Sequence, residues 1–425
     1  MQKSNGTVVI VDPYSTGSYL EAEFAARGWS SVAVLSSPAA PSVYGPLKHA
    51  DRYREIITFE SVDQVLAALA PHRPDAIIPG TEIGVSLADE LADRAGLAGN
   101  GTALSRSRRD KFAMVEALRR NGVPAPESIV TTDADEVVRW ATDRDLWPIV
   151  VKPVDSAGSD GVTFCDTPAE ARAAFARLHD RPHQLGGHND VVLAQELLRG
   201  QQFFVNTVSV DGHHYVAEIW KDVRRPVPGA SLAYDLEELM EPVGEVQRVL
   251  TAYVFRVLDA LGIAWGPAHS EIMLTDRGPV LIETASRMQG TILPDSVRAA
   301  TGQNHVTLTV DCYTDPDRLR ARAGTAYPLH RHVRVVSLIA PHDGHLAAGA
   351  AAELANLPST HAILGSIAAG TPVKRTVDLF TSPASLYLIA DEVAELTRDY
   401  ARIRELERSG LYADSSYHGS GDDLR

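Results

Sequence analysis

The residues that carry the most chemistry lie between Gly266 and Gly290, GPAHSEIMLTDRGPVLIETASRMQG. This segment reads as a strand with His269 and Glu271, a tight turn at Asp276-Arg277-Gly278-Pro279, and a returning strand with Glu283. Side chains alternate faces along a strand, so the register expected from the turn puts Glu271 and Glu283 on one face of adjacent strands. Like charges opposed across a ladder repel each other. A hard divalent cation removes that conflict, and Mg²⁺ binds through one or two carboxylates plus substrate phosphates. Arg287, just beyond, adds a planar positive fork for phosphate or carboxylate oxygens. The plainer reading is a solvated hairpin with scattered charges.

A second segment weighs against the plainer reading. In Trp147–Cys165, WPIVVKPVDSAGSDGVTFC, the apolar run Ile149-Val150-Val151 ends in Lys152-Pro153. A loop of small residues up to Gly161 then leads into a second run, Val162-Thr163-Phe164. Such a loop lets backbone N–H groups approach an oligophosphate, and the lysine at its base neutralises charge. It is not a P-loop, because GxxxxGK(S/T) is absent and a strand follows in place of a helix. Together with the carboxylate pair it suggests ATP and Mg²⁺ held between two sheets.

With these residues in place, the chain resembles the ATP-grasp superfamily of carboxylate–amine ligases, and within it the L-amino acid ligases. Ordered blocks carry the resemblance. Arg109-Asp110-Lys111 opens a helix that leads to Gly122-Val123-Pro124-Ala125-Pro126, and the Lys152 strand and its loop follow. Val191–Gly200, VVLAQELLRG, is similar to the interdomain segment that receives adenine. His269-Ser270-Glu271 and Glu283-Thr284-Ala285-Ser286-Arg287 complete the set. Beyond Arg331, Leu338-Ile339-Ala340-Pro341, Leu357-Pro358-Ser359 and Asp378-Leu379 resemble the C-terminal part of the amino acid ligase subgroup.

The resemblance implies roles residue by residue. Lys111 and Lys152 contact ATP phosphates, and the loop with Ser156, Gly158, Ser159 and Gly161 closes over them. Gln195, Glu196 and Leu198 line the adenine site. Glu271 and Glu283 hold Mg²⁺, with Mn²⁺ as the alternative ion, and Arg287 stabilises an acyl phosphate and the tetrahedral adduct. Gln202 stands where many members carry a ribose-binding Glu. Ala285 stands where many carry a metal-binding Asn, so water or phosphate must complete the coordination; a small residue there is common in the amino acid ligase subgroup.

Three further positions stand out from the residues themselves. His269 shares a face with Glu271 and could orient that carboxylate or contact substrate; a satisfied histidine behind the metal ligands is the safer reading. Glu82 follows strand Ile77–Pro79 at its carboxyl end, where α/β sheets place ligands. It could receive a substrate amino group or serve as a helix-start acid. Met288 and Thr291 follow Arg287 and could shape a side-chain pocket, although packing alone explains a methionine.

The elements that must position these groups follow from periodicity. Val8–Val11, Val32–Leu35 and Ala76–Pro79 read as buried strands, alternating with helices over 21–27 and 85–95, which predicts a doubly wound parallel N-terminal domain. The fold class expected is α/β, turning α+β in the catalytic part: an ATP-grasp fold with a C-terminal α+β extension. The expected divisions are 1–105 (N-terminal domain), 106–205 (central and lid subdomains with the nucleotide hairpin), 206–320 (catalytic metal-binding subdomain), 321–412 (α+β subdomain) and 413–425 (disordered tail). Residues 223–232, with Pro226 and Pro228, read as an irregular loop near the site rim.

Composition sets limits. The 425 residues carry a formal charge of −15, which argues against nucleic acid or an anionic membrane as partner. Two cysteines, Cys165 and Cys312, cannot build a disulfide framework, so a reducing cytoplasm is the default. No signal peptide or membrane-length apolar run is visible. The expected partners are small-molecule substrates, amino acids by resemblance, and a homodimer is the default assembly.

The expected reaction is ATP-dependent joining of a carboxylate to an amine through an acyl phosphate. Three alternatives stay open: an ATP-grasp ligase for a different acid or amine in specialised metabolism, a carboxylase activating bicarbonate, and a nucleotide-binding module without turnover.

Overall fold

The computed structural model describes residues 5–41, 43–156, 160–182, 185, 187–227, 230–290, 292–379 and 381–414. The chain splits into two compact units: Met1–Trp220, Met240–Pro294 and Gln303–Pro328 make the first, and Lys221–Leu239, Asp295–Gly302 and Leu329–Arg425 the second.

The first unit opens with four parallel strands, β1 (Gly6–Val11), β2 (Trp29–Leu35), β3 (Ile56–Thr58) and β4 (Ala76–Pro79), in the order β3-β2-β1-β4. Helix α1 (Leu20–Ala26) lies between β1 and β2, α2 (Val62–Leu69) between β3 and β4, and α3 (Val85–Ala95) follows β4. Val8 and Ile10 pack with Leu20 and Phe24, while Val9 and Val11 pack with Val65, Leu69 and Leu91. A strand covered on both faces reads as an unbroken apolar run, and β1 does.

Next come α4 (Lys111–Arg120), β5 (Ser128–Thr131), α5 (Ala134–Asp143), β6 (Ile149–Lys152), β7 (Thr163–Cys165), α6 (Pro168–Leu178) and β8 (Val192–Glu196). The strands form an antiparallel sheet in the order β5-β8-β6-β7. Val137 and Trp140 of α5 and Phe175 of α6 bury one face against Ile149, Val151, Val192 and Ala194. By the period of two, Lys152 and Gln195 share the opposite face.

The remaining strands of this unit are β9 (Gln201–Val210), β10 (His213–Val227), β12 (Gly266–Thr275) and β13 (Gly278–Ala285), in the order β13-β12-β9-β10. Helices α7 (Glu245–Ala260), α9 (His305–Thr314) and α10 (Pro316–Arg320) belong here too. Gly200 sets the entry to β9: its φ is +152°, and a Cβ there would lie 2.1 Å from the Leu274 carbonyl oxygen of β12.

The second unit contains β10 from Lys221 onward, β11 (Ala230–Leu239), α8 (Pro294–Thr301), β14 (His332–Ser337), β15 (Gly344–Leu346), α11 (Ala348–Ala355), β16 (Thr360–Gly365), β17 (Pro372–Val373), β18 (Ala384–Ala390), α12 (Val393–Ser409) and β19 (Tyr412–Asp414). Its sheet runs β10-β11-β14-β18-β16, beside a small sheet β17-β15-β19. Val336, Leu338, Leu386 and Leu388 pack with Leu396 and Ile403 of α12. Buried Arg404 is held by Asp235 at 2.6 Å and Glu407 at 2.7 Å.

Two expectations need correction. Residues 223–227 and 230–232 are strand, not irregular loop. Cross-strand partners hold the two strands despite Pro226: Arg225 pairs with Asp235 at 2.9 Å, and the Arg224 guanidinium lies 4.1 Å from the Tyr234 ring centroid. Tyr412–Asp414 is a strand as well, while 415–425, the rest of the expected tail, lie outside the described residues. Among the described residues no helix is long and apolar enough to cross a membrane. Cys165 and Cys312 are buried and free.

Candidate active site

The two glutamates meet as their spacing requires. β12 and β13 turn through Asp276-Arg277 with Thr275 opposite Gly278, and Glu271 lies directly opposite Glu283, with a register shift just after Glu271. Lys111 Nζ stands 3.0 Å from Glu283 Oε2. Gln202 Nε2 donates to Glu271 Oε2 at 2.8 Å. Asp110 places Lys111 by capping α4, its carboxylate accepting from the N–H groups of Phe112 and Ala113 at 2.9 Å. Among the described residues no three His, Cys, Asp or Glu side chains close into a metal cage. The pair therefore fits an ion that completes its sphere with phosphate or water oxygens, as Mg²⁺ does.

Lys152 is buried at the end of β6, where its Nζ donates to Gln195 Oε1 at 2.9 Å. Burial and the neighbouring Lys111 pull its pKa down to about 8, against the opposing pull of Glu283 and Glu271. Gln195 Nε2 is buried with no hydrogen-bond partner among the described residues. The Ser156 hydroxyl donates to Asp160 at 2.7 Å, and the Ser156 carbonyl accepts from Lys111 Nζ. Gly161 has a φ of +69°, and a Cβ there would lie 2.5 Å from Leu178 Cδ2. Gly158 and Ser159 lie outside the described residues.

Arg287 is held from the N-terminal sheet. Glu82 accepts from Arg109 Nη1 at 2.7 Å through Oε1 and from Arg287 Nε at 2.8 Å through Oε2. Burial alone would raise the Glu82 pKa, but Arg287, Arg109 and Lys111 outweigh it and hold the group at about 2. Each oxygen of the Glu82 carboxylate thus accepts from one guanidinium. One carboxylate between two guanidiniums leaves a net positive charge, which suits an anion.

Behind the carboxylate pair lies a buried polar row. His269 Nδ1 is 2.7 Å from Asn206 Oδ1, and Asn206 Nδ2 donates to Glu218 Oε1 at 3.0 Å and to Gln289 Oε1 at 2.7 Å. Burial pushes the Glu218 pKa up to about 7; Asn206 and the Trp220 indole lower it only in part. Neither Glu218 Oε2 nor Trp220 Nε1 has a hydrogen-bond partner among the described residues, although the two lie close enough to influence each other. His305, fully buried, bonds the Thr207 carbonyl at 3.0 Å, and burial pulls its pKa down to about 3.

Other expected residues are placed differently. The Glu196 carboxylate bonds Arg277 at 2.9 Å and the Glu127 N–H at 3.0 Å, which leaves its backbone as the part able to line a pocket. Leu198 is buried. Met288 is buried in the core with Val8, Ile10, Phe24 and Val310. Thr291 lies outside the described residues. Sequence reasoning missed Arg109, Asn206, Glu218 and Gln289 as members of these networks.

This geometry is that of an ATP-grasp enzyme, and the chain belongs to the ATP-grasp family of ATP-dependent carboxylate–amine ligases. Residues 146–295 match the ATP-grasp domain model. Dapdiamide A synthase of Enterobacter agglomerans is 31% identical over 406 residues, covering 94% of this chain and 95% of that one. Alanine–anticapsin ligase of Bacillus subtilis strain 168 is 22% identical over 270 residues, covering 59% and 56%. Among solved structures, the L-amino acid ligase from Bacillus licheniformis superposes with a TM-score of 0.74 at 16% identity, covering 95% of this chain and 98% of that one.

Proposed function

We propose that this ligase joins the carboxylate of one L-amino acid to the amino group of another, releasing ADP and phosphate. The observation that carries the reading is the direct opposition of Glu271 and Glu283 within reach of Lys111. The relatives' names supply the amino acid class, and two free buried cysteines favour a reducing cytoplasm.

Lys111 and Lys152 bind and orient the ATP phosphates, and the segment at Ser156 and Gly161 excludes water from them. Gln195 Nε2 offers its unused N–H to the adenine ring, with the Glu196 backbone and Leu198 beside it and Gln202 near the ribose. Glu271 and Glu283 hold Mg²⁺ or Mn²⁺, which supplies charge neutralisation on the transferred phosphoryl group. The substrate carboxylate oxygen attacks the γ-phosphorus and ADP leaves. The amine then attacks the carbonyl carbon of the acyl phosphate, Arg287 bonds the oxyanion from its seat on Glu82, and phosphate departs as the amide forms. The substrates are small molecules, and a homodimer is the assembly we expect.

Isotope transfer tests this sequence. With both carboxylate oxygens of the substrate amino acids labelled with ¹⁸O, one label should appear in released phosphate for each amide formed. Amide formation with unlabelled phosphate would contradict an acyl phosphate.

A further inference from the structure

Arg109 and Arg287 arrive from distant segments at one crevice of the N-terminal sheet. The strand order β3-β2-β1-β4 sends the chain from β1 one way and brings β4 in on the other side. The carboxyl ends of β1 and β4 therefore open into the crevice where α/β sheets hold ligands. Glu82 follows β4 there, and Tyr14 follows β1. The Tyr14 ring stacks on that of Tyr44, with centroids 5.8 Å apart. Burial raises the Tyr44 pKa, and the charges of Arg287, Glu82 and Arg109 all act on its hydroxyl. Arg109 also borders an open groove of about 780 Å³ with Ser86, Ser105 and Arg106, room enough for an amino acid.

The two guanidiniums retain unused donors. Arg109 gives Nη1 to Glu82, and Arg287 gives Nε to Glu82 and Nη1 to the Met288 carbonyl. Among the described residues nothing accepts from Arg109 Nε or Nη2 or from Arg287 Nη2, and none of these atoms is sealed from solvent. One carboxylate and two guanidiniums leave a single positive charge, which matches a single carboxylate; the ATP phosphates already meet Lys111, Lys152 and the divalent ion. Of the two carboxylates that enter an amino acid ligation, one becomes the acyl phosphate. The other, on the amino acid that supplies the amine, stays free. That free carboxylate is a few bonds from the oxyanion that Arg287 meets, and Arg109 is joined to Arg287 through Glu82.

We propose that Arg109 binds the α-carboxylate of the amine-supplying amino acid through Nε and Nη2, and so restricts the amine to substrates with a free carboxylate beside the amino group. Glu82 is the positioning residue that fixes this guanidinium next to the one meeting the oxyanion. The inference rests on the reading of the protein as an amino acid ligase and deepens it. Two parallel N–H groups on a planar guanidinium pair with both oxygens of a carboxylate. An amine without that carboxylate leaves the fork unpaired and loses the contact.

The test gives the full-length protein ATP, Mg²⁺ and all L-amino acids as acyl suppliers, with each L-amino acid or its isosteric, uncharged α-carboxamide as the amine. Mass spectrometry reads the coupled product. Hydroxylamine, a nucleophile without a carboxylate, traps the acyl phosphate separately as a hydroxamate. Wild type should couple the free amino acid with a kcat/KM roughly 10- to 100-fold above that of its carboxamide, the effect of one charge-assisted contact. Arg109→Gln should cut that preference to a few-fold, whatever activity it keeps. Carboxamides that couple as well as free amino acids in wild type overturn the inference alone, and this comparison needs no variant to fold. An Arg109→Gln protein that keeps the full preference, or hydroxamate formation without coupling of any free amino acid, overturns it too. Neither hydroxamate nor coupled product with any amino acid overturns the ligase reading as well.

Discussion

Glu82→Gln removes the carboxylate that two guanidiniums share and leaves Arg109 and Arg287 facing each other without it. The magnitude follows from the pKa of Glu82, about 2 against an ordinary 4.5. That difference corresponds to about 3 kcal/mol of stabilisation at neutral pH, at 1.36 kcal/mol per pKa unit. Because the folded pKa lies below the unfolded one, the contribution is present above about pH 4.5 and is lost as pH falls toward 2. Denaturant unfolding of wild type and Glu82→Gln should therefore differ by about 3 kcal/mol at pH 7 and by about 1 kcal/mol at pH 3. Arg287 also loses its seat, and a misplacement near 1 Å costs about 100-fold in rate, so amide formation should fall by that order. A variant as stable as wild type at pH 7 would refute the argument that the Arg109–Glu82–Arg287 cluster holds the anion site together.

Other perturbations have definite expected outcomes. Lys152, with a pKa near 8, is partly neutral at that pH in the free protein and should regain its proton when phosphates arrive. Calorimetric titration of nucleotide at pH 8 in buffers of different ionisation enthalpy should register proton uptake; none would contradict the placement of Lys152 on phosphate. For Glu218 the folded pKa is raised to about 7 from 4.5, so its contribution is fully present below pH 4.5 and is lost as pH rises through 7. Glu218→Gln should therefore gain stability on wild type by up to about 3 kcal/mol between pH 5 and pH 8, read from melting curves; a constant difference would contradict the raised pKa. Arg277→Ala removes the partner of Glu196, but that guanidinium is 57% exposed, so chemical denaturation should show a loss below about 1 kcal/mol.

The local parts of the site were legible because their geometry is local. A short turn and a period of two were enough to oppose Glu271 and Glu283, and an apolar run ending in Lys152 identified that strand. The parts that escaped are assembled from distant segments. Glu82, Arg109 and Arg287 come from three stretches that no spacing rule connects, so a helix-start acid and a substrate anchor looked alike in the sequence. Asn206 and Glu218 did leave a signal, as polar residues inside the apolar runs FVNTVSV and YVAEIW. Alternation alone reads such positions as ordinary outward-facing residues; both are in fact buried, Asn206 bonding His269, Gln289 and Glu218. The strand residues 223–227 and 230–232 escaped because Pro226 and Pro228 in the sequence signal breaks, while the arginine pairs across β10 and β11 depend on register.

The central claim is that Glu271 and Glu283 serve an ATP-dependent ligation of amino acids. Phosphate release from ATP and Mg²⁺, measured against all L-amino acids singly and in pairs with Glu283→Ala alongside, tests it most directly. The account predicts release that requires a particular pair of amino acids and disappears in the variant. Release that is indifferent to amino acids, or that survives Glu283→Ala, would contradict it.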